Sequence, residues 1–149
     1  MNLKYWILAA RPKTLTAALI PVCTATALAF AQGHGRWLPA VVCMLFAALM
    51  QIAANFINDL FDFKKGTDRE DRLGPERACA QGWITPQAMK RGIGVMLVLA
   101  CAVGCCLLPY GGWVLVGIGV ACVVFAFLYT TLLSYMGCGD VLVWVFFGL

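Results

Sequence analysis

The sequence predicts an all-α, polytopic transmembrane helical bundle. Apolar residue types make up 62% of the 149 residues and charged types only 12%, whereas ordinary globular chains have roughly 45–50% and about 25%. The few charged residues lie in short stretches between long apolar runs. These runs are expected to be helices, because a bilayer offers no hydrogen-bond partners to an open backbone. The same composition and the small net charge of +4 exclude disordered, collagen-like and nucleic-acid-binding proteins.

Four apolar runs are long enough, at about 20 residues each, to cross ~30 Å of hydrocarbon. They cover residues 14–31, 37–61, 92–108 and 113–133, and the start of a fifth covers 138–149. The first run is longer than the apolar core of a signal peptide and is followed closely by the second, which favours a retained span. The segment 62–91 is predicted to be a loop.

The basic residues predict the orientation of the bundle. Three lie in the first 13 residues and seven lie in 62–91, whereas the other two connections hold one and none. Two spans separate the basic segments, so both are expected on one side of the membrane, the cytoplasmic side. The eight cysteines lie mostly inside apolar runs and form no CxxC pair, which favours packing over disulfides or a thiolate metal site.

A polar stripe marks the end of the second span. Five side chains fall within an arc of about 100° on an otherwise apolar helix; they are Gln51, Asn55, Asn58, Asp59 and Asp62. Such residues are expected to face other helices or a water-filled cavity. Two simpler interpretations stay open, namely that the acids only end a helix and that the basic residues only set topology.

The aspartates near this stripe predict a metal site. Gly66 allows the chain to leave the helix, so that Asp68 can fold back toward Asp62. Converging carboxylates repel one another unless a cation lies between them, and oxygen ligands suit Mg²⁺. Mg²⁺ commonly binds a substrate phosphate as well, and the nearby basic residues are suited to a polyanion; they are Lys64, Lys65, Arg69, Arg72 and Arg77.

The segment from Asn58 to Asp68, NDLFDFKKGTD, resembles the first aspartate-rich motif of the UbiA superfamily of membrane prenyltransferases. In the spacing Asn-x3-Asp-x5-Asp it is closest to the 1,4-dihydroxy-2-naphthoate polyprenyltransferase branch. Weaker similarities to that branch are ARPKT at 10–14, Gln51-x3-Asn55, RLGPER at 72–77, QGWITP at 81–86, and Tyr129-Thr130 followed by YMGCG at 135–139.

The resemblance implies nine transmembrane helices around a central cavity and transfer of a polyprenyl group from its diphosphate to an aromatic acceptor. By the same resemblance, the acceptor is 1,4-dihydroxy-2-naphthoate and the product is a menaquinone precursor. Mg²⁺ held by Asn58, Asp62 and Asp68 would make these three residues catalytic. The expected substrate-binding residues are Asn55, Asp59, Lys65, Arg72, Arg77 and Tyr129.

The family's second aspartate motif would lie beyond Leu149, so this chain is expected to be the N-terminal half of such a domain. Two alternatives stay open. One is a fragment of a divalent-cation or organic-anion transporter. The other is a non-catalytic fragment that binds lipid, or that pairs with a second copy or with a chain that supplies the missing half. Small residues in spans one, three and four permit the close helix contact that pairing needs.

Overall fold

In the computed structural model, the described residues are 2–66 and 77–133, and every regular element within these ranges is a helix. The predicted all-α bundle is confirmed. The elements are α1 (Leu3–Ala10), α2 (Pro12–Ala31), α3 (Trp37–Lys65), α4 (Pro86–Cys105), α5 (Leu108–Gly111), α6 (Val114–Leu128) and a π-helical turn (Tyr129–Leu133).

Four segments are long and apolar enough to cross a membrane: Pro12–Ala31, Trp37–Lys65, Pro86–Cys105 and Val114–Thr131. They correspond to the four predicted spans. Helix α3 is central, since α1, α2, α4, α6 and the π-helical turn all pack against it. The predicted fifth span at 138–149 lies outside the described residues.

The second and third spans differ from the sequence prediction at their ends. Helix α3 continues through the polar stripe to Lys65 and stops at Gly66, whose φ of 66° is left-handed and favours glycine. Helix α4 begins at Pro86, after Thr85 caps it by accepting a hydrogen bond from the Ala88 N–H at 3.3 Å. The connection is therefore shorter than the predicted 62–91, because hydropathy detects the apolar centre of a helix and misses its polar ends.

The N-terminal segment forms a separate short helix. Arg11 has a left-handed φ of 50°, which turns the chain between α1 and α2, and Pro12 starts α2. Tyr5 stacks on Trp83 with the ring centroids 5.0 Å apart. Trp6 meets Phe56 of α3 edge-on at 5.4 Å. These contacts attach α1 to the end of α3.

The main core lies at what we call the basic end, where α2 begins, α3 ends and α4 begins. Its buried side chains come from α1, α3, α4 and the segment before α4; they are Ala9, Phe56, Ile57, Leu60, Ala78, Cys79, Ile84, Met89 and Ile93. By contrast, α6 has no buried residue and leaves four of its five valines exposed. The core thus fixes the last turns of α3, where the polar stripe lies.

Candidate functional site

Four polar residues from three parts of the chain meet at the end of α3, and we call them the α3-end cluster: Asn58, Asp62, Arg77 and Thr130. Arg77 forms an ion pair with Asp62 through Nη2 and Oδ2. Its Nη1 also donates to the backbone carbonyl of Asn58 at 2.8 Å. The Thr130 hydroxyl donates to Asn58 Oδ1. The predicted residues Asn58, Asp62 and Arg77 are therefore brought together.

Burial makes the ion pair of this cluster a strong local constraint. The Arg77 side chain is only 6% exposed, whereas that of Asp62 is 21% exposed. A buried guanidinium needs a paired anion, because an unpaired charge away from water is costly. Arg77 therefore positions the carboxylate of Asp62, whose side chain stays partly exposed.

Asp59 differs from its neighbours in the stripe, because both of its carboxylate oxygens are engaged by backbone. Oδ2 accepts from the Ala78 N–H at 2.9 Å, and Oδ1 accepts from the Cys79 N–H at 3.0 Å. The residue is 1% exposed. Asp59 thereby ties the segment that carries Arg77 to α3, and its substrate-binding role stays a prediction.

Asn55 is also an anchor in this structure and not part of an open pocket. Its Nδ2 donates to the Ala10 carbonyl at 2.8 Å and to Thr14 Oγ1 at 2.9 Å, and the residue is 3% exposed. The Ala10 carbonyl lies at the C-terminal end of α1, where backbone carbonyls have no N–H donor within the helix. Asn55 thus holds the α1–α2 turn against α3, and its contact with substrate stays a prediction.

Lys65 crosses from the last turn of α3 to the π-helical turn. Its Nζ donates to the carbonyls of Thr130 at 2.8 Å and Thr131 at 3.4 Å. A π-helical turn is rare and occurs frequently at functional sites. Lys65 therefore fixes the backbone that presents the Thr130 hydroxyl to Asn58, and its substrate contact stays a prediction.

The aromatic residues near the cluster are mainly packed. Phe61 meets Phe127 edge-on with centroids 6.3 Å apart, and Lys64 Nζ lies 5.4 Å from the Phe61 ring centre. Tyr129, a predicted substrate-binding residue, begins the π-helical turn with 38% of its surface exposed. Its neighbour Thr130, 2% exposed, is the residue that reaches Asn58.

The oxygens of Asn58 and Asp62 suit a hard cation such as Mg²⁺, which favours carboxylate and carbonyl ligands. They are four residues apart on one face of α3. Asp68, the third predicted ligand, and Arg72 lie outside the described residues. Within the described ranges, no group of three His, Cys, Asp or Glu residues converges. The residues present therefore fit part of a magnesium site.

Thr130 was absent from the residues that we predicted for the site. A threonine next to a long apolar run carries no charge or spacing signal, and its hydroxyl ordinarily bonds within its own helix. The available signal was the Tyr129-Thr130 pair, which we used only as weak support for the resemblance. The contact itself depends on how α6 packs on α3, and this is a tertiary property.

Comparison with known proteins gives one consistent family. The UbiA prenyltransferase family profile matches residues 18–149. The 1,4-dihydroxy-2-naphthoate octaprenyltransferase of Escherichia coli (strain K12) is 40% identical over 154 residues, covering 96% of this chain and 49% of that protein. The protein of the same name from Haemophilus influenzae is 37% identical over 159 residues, covering 99% of this chain and 52% of that protein.

A more distant relative is the UbiA prenyltransferase domain-containing protein 1 of Homo sapiens, 32% identical over 105 residues that cover 68% of this chain and 30% of that protein. No solved structure matches the chain at a significant level. The chain spans about half the length of the bacterial relatives above. Its four long apolar helices and its similarity to these relatives indicate a multi-pass membrane protein. The match over most of its length shows that the chain belongs to the UbiA prenyltransferase family.

Proposed function

We propose that this chain forms the diphosphate-binding half of a membrane prenyltransferase. The reaction is transfer of a polyprenyl group from a polyprenyl diphosphate to an aromatic acceptor. We propose 1,4-dihydroxy-2-naphthoate as the acceptor, which places the enzyme in menaquinone biosynthesis. The observation that carries the proposal is the α3-end cluster, where a partly open carboxylate lies beside a buried guanidinium. The names of the bacterial relatives support the acceptor.

The difficult step of prenyl transfer is departure of the diphosphate. As the bond between the allylic carbon and the diphosphate oxygen breaks, negative charge develops on the diphosphate and positive charge on the carbon. We propose that Asn58, Asp62 and Asp68 hold Mg²⁺ through side-chain oxygens. Bound by these residues, Mg²⁺ would supply positive charge that offsets the negative charge developing on the diphosphate.

The chain's own residues contribute position and charge. Arg77 holds the Asp62 carboxylate in place and supplies a positive charge close to where the diphosphate binds. Thr130 fixes the direction of the Asn58 amide oxygen, and Lys65 fixes Thr130 through its carbonyl. Preorganised groups of this kind stabilise a transition state because they need no rearrangement during the reaction.

We also propose that the basic end faces the cytoplasm of a bacterial cell. The basic residues of the described chain lie almost entirely at this end, on α1, the start of α2, the end of α3 and the start of α4, in agreement with the positive-inside rule. This orientation opens the site to polar substrates from the cytoplasm while the polyprenyl tail stays in the bilayer.

The test is a transfer assay with membranes that contain the complete protein, labelled polyprenyl diphosphate and acceptor. Asp62→Asn keeps the size of the side chain and removes its charge, so turnover is expected to fall by about a hundredfold or more. Lys90→Gln, which changes one charge on α4 outside the α3-end cluster, is the matched control and should keep wild-type turnover. Circular dichroism of both variants verifies the fold.

Near-normal turnover of Asp62→Asn with an unchanged magnesium requirement would refute the role of this carboxylate. Cation or anion flux through vesicles containing the wild-type protein, with no prenyl transfer, would favour a transporter instead.

A further inference from the structure

A cavity lies at the basic end, on a different face of α3 from the candidate site. It measures about 490 Å³ and is bounded by α1, α3 and α4. Its α3 wall is formed by Ile52 and Phe56, which point about 120° around the helix from the mean direction of Asn58 and Asp62 at 100° per residue. Its volume lies within the range of about 300–1,000 Å³ that holds small molecules. The proposed transfer reaction uses none of its lining residues.

The walls of this cavity are mostly apolar, and several of their side chains are exposed. Trp6 and Ile7 of α1 face Val95 and Met96 of α4 across it. Ile7 and Val95 are each about half exposed, at 51% and 54%. Exposed apolar side chains on membrane-embedded helices face acyl chains, so hydrocarbon is the natural filling of this space.

One side chain of the lining carries a charge, namely Arg91 in the second turn of α4. The acids of the described chain are Asp59 and Asp62, and both are engaged elsewhere, by backbone N–H groups and by Arg77. Arg91 therefore receives no countercharge from the described residues. A guanidinium at the rim of an apolar groove is complementary to a phosphate that carries an acyl chain.

The groove is shaped by a close contact between α1 and α4. Gly92 lacks a Cβ, and a methyl group there would lie 2.5 Å from a ring carbon of Trp6. The indole thus rests directly on the backbone of α4, one residue from Arg91. This contact fixes the apolar wall and the charged rim relative to each other.

We propose that this cavity is a binding site for an anionic phospholipid, with the lipid phosphate at Arg91 and one acyl chain between α1 and α4. The site is separate from the proposed prenyl transfer, and its test does not depend on that activity. The bound lipid would also help to hold the short helix α1 on the bundle.

Native mass spectrometry of the detergent-solubilised chain tests this directly, using equimolar phosphatidylglycerol and phosphatidylcholine of matched acyl length. The wild-type chain should retain phosphatidylglycerol about fivefold more than phosphatidylcholine. This ratio is what the attraction of one basic side chain to an anionic lipid gives. Arg91→Gln should remove this preference. Lys90→Gln is the matched control, because it removes the same charge from the neighbouring, exposed position that does not line the cavity, and it should keep the preference.

Ala88→Phe fills part of the cavity and should lower retention of phosphatidylglycerol, while circular dichroism verifies the helical content of each variant. An equal loss in Lys90→Gln and Arg91→Gln would overturn the proposal in favour of diffuse attraction to the basic end. Undiminished retention by Ala88→Phe would also overturn it. Displacement of phosphatidylglycerol by a polyprenyl diphosphate, weakened by Arg91→Gln, would show that the groove belongs to the substrate instead.

Discussion

Asp59→Ala is expected to destabilise the protein strongly, because Asp59 is an anchor of the fold. The substitution leaves two buried N–H groups, those of Ala78 and Cys79, without the carboxylate that now accepts from them. Each unsatisfied buried group costs about 1–3 kcal/mol, or about 2–6 kcal/mol for the pair. Removing the buried charge offsets part of this cost, so a loss of about 2–4 kcal/mol is expected. Asp59→Asn retains one acceptor and should lose about half as much.

The assay is unfolding of the purified chain by SDS titration in mixed micelles, followed by far-ultraviolet circular dichroism. The expected order of stability is wild type, then Asp59→Asn, then Asp59→Ala. Lys64→Gln, a change at an exposed position on the same helix, should stay within about 0.5 kcal/mol of wild type. Wild-type stability of Asp59→Ala would refute the anchoring role.

Two further substitutions test contacts that only the structure reveals. Gly92→Ala should displace the Trp6 ring from α4 and lower stability by about 1–3 kcal/mol. Gly94→Ala is the control and should be neutral or slightly stabilising, because a Cβ there meets nothing within 4 Å. Thermal unfolding followed by tryptophan fluorescence compares the two variants, and equal effects would contradict the close contact. Thr130→Val should weaken binding of a polyprenyl diphosphate about fivefold by freeing the Asn58 amide, and Thr130→Ser should restore it. Equal affinities in a binding titration of the two Thr130 variants would exclude a role for the hydroxyl.

The sequence predicts most of this fold because the bilayer simplifies the problem. A run of about 20 apolar residues has one stable structure in hydrocarbon, so the four spans follow from composition alone. The ends of the helices do not. The polar stripe continues α3 to Lys65, and hydropathy gives no reason to extend the predicted span 37–61 through Asp62. The left-handed Arg11 that separates α1 from α2 is equally hidden, since the favoured residue for such a turn is glycine.

The sequence predicts which face of α3 carries the candidate site, but it does not predict which residues that face contacts. Helical periodicity places Asn55, Asn58, Asp59 and Asp62 on one side of α3, and the structure buries or partly buries all four. Periodicity does not say which neighbour each one meets. Asn55 meets the α1–α2 turn and Asp59 meets the backbone at 78–79. Asn58 and Asp62 instead meet Thr130 and Arg77 in the α3-end cluster. That division depends on the packing of segments distant in sequence.

The most direct test of the central claim is a calorimetric titration of the detergent-solubilised chain with a non-hydrolysable prenyl thiodiphosphate, in the presence of Mg²⁺ and again with a chelator. The account predicts that the wild-type chain binds at least about tenfold more tightly with Mg²⁺, and that Asp62→Asn binds weakly under both conditions. Equal wild-type affinity with Mg²⁺ and chelator, or a magnesium-dependent affinity that survives in Asp62→Asn, would contradict the claim that the end of α3 binds a magnesium diphosphate.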